Sequence, residues 1–289
     1  MSAAGKTVLI TGSTDGHGLA LARRLAADDA EVLIHGRDAE KVERVVGEAG
    51  AARGYVADLA SLEDVRRLAS EVAGYHDRLD VLVNNAGVAM LERGTSADGY
   101  ELDFAVNHLA HFLLSLELLD RIGSRIVNVS SIGQQAIDFD DVMLESGFDP
   151  ARAYCQSKLA QILFTFELAE RLGDSPTVTA LHPATFMDTN MVRRMGQQAM
   201  NSVETGMEAT LRLAVGDDVE GVTGRFFDVQ READADPQAY DAGARRRLWE
   251  LSEQLTGAAG GRPPLGFNHG RRANSSRGGG EGPDADRRR

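Results

Sequence analysis

The chain has 289 residues and a single cysteine, Cys155. No intramolecular disulfide can form, so a reducing compartment, the cytoplasm, is expected. Long hydrophobic runs are missing: no uncharged apolar stretch reaches the ~18 residues of a bilayer span, and no membrane span is expected. The opening Met-Ser-Ala-Ala-Gly-Lys lacks a basic segment followed by a long apolar one, so no signal peptide is expected either. Positive charge is scarce, with 31 Lys and Arg against 44 Asp and Glu. Seven of those Arg, against three acids, lie from Gly257 onward, which leaves the rest more acidic still. Such a body is unsuited to nucleic acid or to anionic lipid. One cationic pocket for a phosphate stays compatible with it.

What is present is ordinary globular material, 43% hydrophobic and 26% charged, enough to bury a core. Seven short apolar runs, Thr7–Thr11, Glu31–His35, Arg53–Ala57, Leu79–Val83, Arg125–Ser130, Thr177–His182 and Arg225–Asp228, read as strands buried on both faces. Between them lie stretches with apolar residues three and four apart, such as Leu19–Ala26 and Leu159–Ala169, which is helix spacing. This alternation predicts a single α/β domain over residues 1–256, a Rossmann-type doubly wound parallel sheet of about seven strands with helices on both faces. No internal repeat or linker interrupts it. Residues 257–289 are rich in Gly, Arg, Pro and Ser, and are expected to be a disordered tail.

The first strand runs into Thr11-Gly12-Ser13-Thr14-Asp15-Gly16-His17-Gly18, where a helical pattern starts at once. Glycines allow a tight turn and close approach of a pyrophosphate, and a helix N-terminus offers free N–H groups to the anion. Gly12, Ser13, Thr14, Gly16, His17 and Gly18 are therefore candidate cofactor contacts. At the end of the second strand Gly36 stands where an NAD-specific site places an acid for the ribose. Arg37 follows, and a guanidinium suits a 2′-phosphate. NADP is the expected cofactor, with NAD the other option; Asp15 in the loop and Asp38 near the ribose weigh towards NAD.

Tyr154 and Lys158 are four residues apart and share a helix face. A phenol near pKa 10 is a poor base at neutral pH, and a neighbouring ammonium is expected to lower it towards the range useful for proton transfer. His108 and His111 lack the carboxylate or Cys neighbours of a metal centre, so no metal is expected. Cys155 turns away from Tyr154 on the helix and reads as a packed thiol.

The glycine spacing, Asn84-Asn85-Ala86-Gly87, Val129-Ser130-Ser131 and Tyr154-x-x-x-Lys158 resemble the short-chain dehydrogenase/reductase family over roughly Lys6 to Thr256. Asn107-His108-Leu109-Ala110-His111-Phe112 and the segment around Ile137–Asp141 resemble its retinol-dehydrogenase-like branch. Members of that branch often carry an N-terminal membrane helix, and none is expected here. The resemblance implies a catalytic tetrad of Asn107, Ser131, Tyr154 and Lys158, with Asn107 holding a water that links Lys158 to solvent. It implies that Lys158 also binds the nicotinamide ribose, that Asp58 and Leu59 meet the adenine, and that Asn85, Ala86 and Gly87 line the adenosine side. After the sixth strand it places Pro183 and Thr189 at the nicotinamide. His17 and Ala184 depart from the family pattern.

The expected activity is hydride transfer between a carbonyl and an alcohol on a bulky apolar small molecule. Met191, Val192, Met195 and Met200 form a candidate lid, and Gln134 and Gln135 a candidate cleft wall. A homodimer or homotetramer is expected. Two other readings stay open: a cofactor-binding regulator, and an isomerase or cyclase using the Tyr–Lys site.

Overall fold

In the computed structural model, residues 3–258 are described. Strands β1 Thr7–Ile10, β2 Glu31–Gly36, β3 Arg53–Val56, β4 Leu79–Asn84, β5 Ile122–Val129, β6 Thr177–His182, β7 Arg225–Asp228 and β8 Arg231–Glu232 form one sheet. Its order is β3-β2-β1-β4-β5-β6-β7-β8, and every pairing is parallel except β7 with β8. Seven strands match the apolar runs. The eighth is two exposed polar residues that fold back on β7, so no hydrophobic signal marks it. β5 begins at Ile122, earlier than its apolar run, because Ile122 pairs with Leu79 across a register shift.

Alternate residues along each strand point to opposite faces. Val8, Ile10, Val32, Ile34, Val81 and Val83 pack under α1 Gly16–Ala27, α2 Ala39–Ala49 and a later helix, Val203–Val215. Leu9, Leu33, Leu82 and Ile126 face the other side. There they meet α3 Leu62–Tyr75, α4 Leu102–Phe104, α5 Ala110–Leu118, α6 Pro150–Leu172 and a C-terminal helix, Ala242–Thr256. With the short α7 Asn190–Arg194 between, the last two are α8 and α9. Asp38, Ser61, Asp149 and Ser202 cap α2, α3, α6 and α8, each accepting from the main-chain N–H three residues on. Such a cap contributes about 1 kcal/mol.

α4 and α5 are joined through a π-helical turn, Ala105–Leu109, into one helix, Leu102–Arg121. By length and composition this helix could cross a membrane, but 83% of its apolar window is buried inside the protein. It is the central core helix, with Phe112 against Phe164 and Trp249 at ring separations of 5.4 and 5.0 Å. The 257–289 segment lies outside the described residues apart from Gly257 and Ala258.

β1 has β2 on one side and β4 on the other, so the chain reverses its winding direction there. The C-terminal ends of strands beside such a switch point are where open α/β sheets bind ligands.

Candidate active site

The glycine loop is built against the end of β4. A side chain on Gly12, whose φ is +62°, would meet Ala86 Cα at 2.8 Å, and one on Gly18 would come within 2.5 Å of Asn85 Nδ2 and of the Gly12 carbonyl. The loop and Asn85-Ala86 therefore pack backbone to backbone, which leaves a shallow cradle at the start of α1. Asn85 ties the two sides: its Nδ2 donates to the carbonyls of Thr11 and Gly12 at 2.8 and 3.1 Å. Thr11 Oγ1 in turn accepts from the N–H groups of Asn85 and Ala86.

Two loop residues face the protein rather than the groove. Ser13 is buried, donates to the Ile10 carbonyl at 2.8 Å and accepts from the His35 N–H at 2.9 Å. The His17 ring lies between Asn85 Oδ1 at 2.8 Å and Thr210 Oγ1 at 3.0 Å, and burial pushes its pKa down. Their side chains brace the loop, and what they offer the groove is backbone at the helix N-terminus.

His35 was not among the expected site residues, yet it joins three strand ends. Its Nδ1 accepts from the Gly12 N–H at 3.0 Å and its Nε2–H donates to the Ala57 carbonyl at 3.2 Å. Burial takes its pKa down to about 4, so the ring is neutral and these two bonds fix its tautomer.

At the adenosine end, a side chain on Gly36 would lie 2.6 Å from Thr14 Cγ2. Thr14 thus fills the place an acid would need. Arg37 is exposed and makes no hydrogen bond or ion pair with the described residues. Asp38 caps α2 through the Lys41 N–H. Asp15 pairs with Lys41 Nζ at 3.1 Å and accepts from Asn190 of α7, while Lys41 and Asn190 hold its pKa low against the effect of burial. Asp58 turns back on Ala60 N at 3.0 Å, its own N–H donates to Asp64, and Leu59 is buried.

The expected catalytic residues come together at the ends of β4 and β5. Ser130 is turned inward and donates to the Lys158 carbonyl at 2.7 Å. Ser131 Oγ, accepting from the Gly133 N–H, lies beside Tyr154. Lys158 Nζ is 5.7 Å from the centre of the Tyr154 ring. A side chain on Gly133 would sit 3.4 Å from Ser131 Oγ and 3.9 Å from Tyr154 Cε1. One on Gly87 would sit 3.4 Å from Lys158 Nζ and 3.2 Å from Asn107 Oδ1. Both glycines thus lie against these groups.

The electrostatics differ from expectation. Burial pushes the Tyr154 phenol up to about 12, against a downward pull from Ser131. Burial also takes Lys158 down to about 8, although the charge of Asp103 favours the ammonium. Removal from water penalises both charged forms, and here that outweighs the help Lys158 was expected to give the phenolate. Asn107 differs too. Its Oδ1 accepts from the Val88 N–H at 2.8 Å, and its Nδ2 donates to the Val88 carbonyl and to Ser157 Oγ. The side chain holds the loop after β4, and Lys158 Nζ bonds instead to Val129 and Gln161.

Asp103, one turn before Asn107, is fully buried and accepts from the Met90 N–H at 3.1 Å. Burial, then the charge of Glu101, pushes its carboxyl up to about 7. His108 and His111 face different partners, Ser252 at 2.7 Å and Thr11 at 3.1 Å.

Pro183 is buried under α8, and Thr189 caps α7 through the Val192 N–H with its methyl facing Gly16. Met191 reaches towards Gly87. Gln134 bonds the Ser131 carbonyl and the Asp236 N–H, and Ile137 docks on Gln238, so this part of the segment after Ser131 is anchored to the C-terminal loop.

A glycine cradle at the switch point, with a Tyr–Lys pair and a Ser opening beside it, defines a nicotinamide-dependent oxidoreductase of the doubly wound class. The chain belongs to the short-chain dehydrogenase family, whose model matches residues 6–200. It is 39% identical to mouse retinol dehydrogenase 13, covering 88% of this chain and 85% of the relative. Among solved structures, a protein from Mycobacterium paratuberculosis matches with a TM-score of 0.76 and 34% identity over 89% of this chain and 95% of its own. The RhlG/NADP active-site complex of Pseudomonas aeruginosa matches with a TM-score of 0.64 and 25% identity over 79% and 96%.

Proposed function

We propose that the protein interconverts a bulky apolar alcohol and its carbonyl with NADP, using Tyr154 as the proton-transferring acid and base. The observation that carries this is the convergence of Ser131, Tyr154 and Lys158 at the strand ends beside the glycine loop. The cradle suits a dinucleotide because Gly12 and Gly18 let the loop pack tightly on Asn85-Ala86 and present backbone N–H groups at the start of α1. When bound, the nicotinamide supplies or accepts the hydride. Ser131 Oγ–H orients the substrate oxygen, and Tyr154 donates a proton to that oxygen in reduction and withdraws it in oxidation. Lys158 holds the nicotinamide ribose and offsets the charge of the phenolate. Asn107 positions the Val88 loop and Ser157 around them. Thr189 meets the carboxamide, and main-chain groups from Gly12 to Gly18 hold the pyrophosphate.

NADP is supported by Gly36, Thr14 and the exposed Arg37, and by the NADP in the Pseudomonas complex. An apolar, retinol-like substrate is supported by the similarity to retinol dehydrogenase 13, and by exposed Ile132 next to Ser131. The test is oxidation of NADPH with a panel of apolar aldehydes and ketones, followed by absorbance of the reduced nicotinamide. Turnover lost by at least a thousandfold in Tyr154→Phe is expected. Wild-type-like turnover in that variant would remove Tyr154 from the chemistry.

A further inference from the structure

Lys158 is one of three lysines in the chain, with Lys6 and Lys41. Its ammonium is buried and meets two acceptors, the Val129 carbonyl at 3.1 Å and Gln161 Oε1 at 2.9 Å. An ammonium can only donate, so Gln161 must turn its carbonyl oxygen to Lys158 and its amide nitrogen the other way. That nitrogen reaches His111 Nδ1 at 3.3 Å. The same Nδ1 lies 3.0 Å from the Asn107 carbonyl, in the π-helical turn, and can serve only one of the two at a time. Gln161 is 1% exposed, so its side chain has protein partners on both sides.

We propose that Gln161 is a positioning residue for the reaction: its side-chain carbonyl fixes Lys158 Nζ beside Tyr154 and favours the charged ammonium in its buried place. This rests on the reading of Lys158 given above. The Gln161 side chain lies between Lys158 Nζ and the His111 ring. The titratable groups facing this cluster are Tyr154 from α6, Asp103, His108 and His111 from the Leu102–Arg121 helix, and His35 from β2. Asp103 favours the charged lysine, and His111 is held neutral by burial.

The full chain, labelled with carbon-13 at lysine Cε and free of cofactor, has three lysine signals to follow by NMR across pH. Gln161→Met removes the acceptor at similar volume, and the Lys158 midpoint is expected to fall by about one pH unit, the size of a hydrogen bond to a charge. Gln161→Glu places a carboxylate there, and the midpoint is expected to rise by a similar amount. Lys6 and Lys41 are expected to stay at their wild-type midpoints in both variants. A Lys158 midpoint unchanged in both, or displaced in the same direction by both, overturns the proposal. Should Gln161→Met not fold, Gln161→Glu decides alone: a rise supports the role and its absence overturns it. Because no turnover is measured, a failed Tyr154→Phe test would count against the enzymatic reading and leave this result to stand or fall separately.

Discussion

His35→Phe tests whether the phosphate loop is held by a neutral imidazole. The substitution nearly keeps the ring volume and removes both nitrogens. The Gly12 N–H and the Ala57 carbonyl then lose the partners they have at 3.0 and 3.2 Å. Leaving two such groups unpaired costs about 2–5 kcal/mol, a large part of a typical stability of ~5–15 kcal/mol. The deficit should depend on pH. His35 has a folded pKa of about 4 against an ordinary 6.5. Between those values the unfolded chain binds a proton that the folded one refuses, so wild-type stability is complete above 6.5 and falls as pH drops towards 4. At pH 4.5 this loss is about 2–3 kcal/mol, and the Phe variant does not share it. Urea melts at pH 7 and pH 4.5, read as midpoint and slope, should show the difference between the two proteins shrinking by that amount. The remaining histidines are common to both and cancel. A difference that stays constant across this range would refute the neutral-brace reasoning.

Arg37→Ala should weaken NADPH about 10–100-fold, the worth of a charge-assisted phosphate contact, and leave NADH nearly unchanged. Cofactor titrations by fluorescence check this, and equal losses would sink the 2′-phosphate role. Gly18→Ala should abolish cofactor binding and lower the melting temperature, because its new carbon lies 2.5 Å from a carbonyl that has little room to retreat. Wild-type binding in that variant would contradict the packed loop. Trp249→Ala, which empties the stack with Phe112 and Phe164 and the cover over which Arg171 lies at 4.0 Å, should cost about 3–5 kcal/mol by urea melt. A loss below about 1 kcal/mol would mean α9 is not part of the cooperative core.

The strands were legible because strands buried on both faces announce themselves as short Val-, Ile- and Leu-rich runs. Thr177–His182 and Arg225–Asp228 coincide with the expected limits. β8 was not legible because Arg231 and Glu232 are two exposed polar residues with no apolar pattern. The π-helical turn at Ala105–Leu109 was hidden for a different reason: its sequence is ordinary helix, while Asn107 within it is held by Val88 and Ser157 from other parts of the chain.

The site was legible as positions but less so as roles. The motifs brought Ser131, Tyr154 and Lys158 to one place, as their spacing and strand-end location required. Within the same motifs Ser13 and His17 turned inward, because a loop that presents backbone to a ligand needs side chains to hold that backbone still. Motif spacing locates such a loop without saying which of its residues face out. His35, Asp103 and Gln161 carried no signal, since no motif marks them and the fold alone sets His35 on Gly12 and Ala57, Asp103 on Met90, and Gln161 between Lys158 and His111. The same reasoning explains the phenol. From the sequence, an ammonium four residues away was the dominant neighbour of Tyr154. In the fold, loss of water acts on both groups, and Lys158 is already bonded to Val129 and Gln161. A bound dinucleotide and substrate would add ribose oxygens and a substrate hydroxyl around the Lys158 and Tyr154 held in this way. The Tyr154 acidity that catalysis needs is therefore a property of the ternary complex, and titration of the free protein should find the phenol high, as burial alone places it.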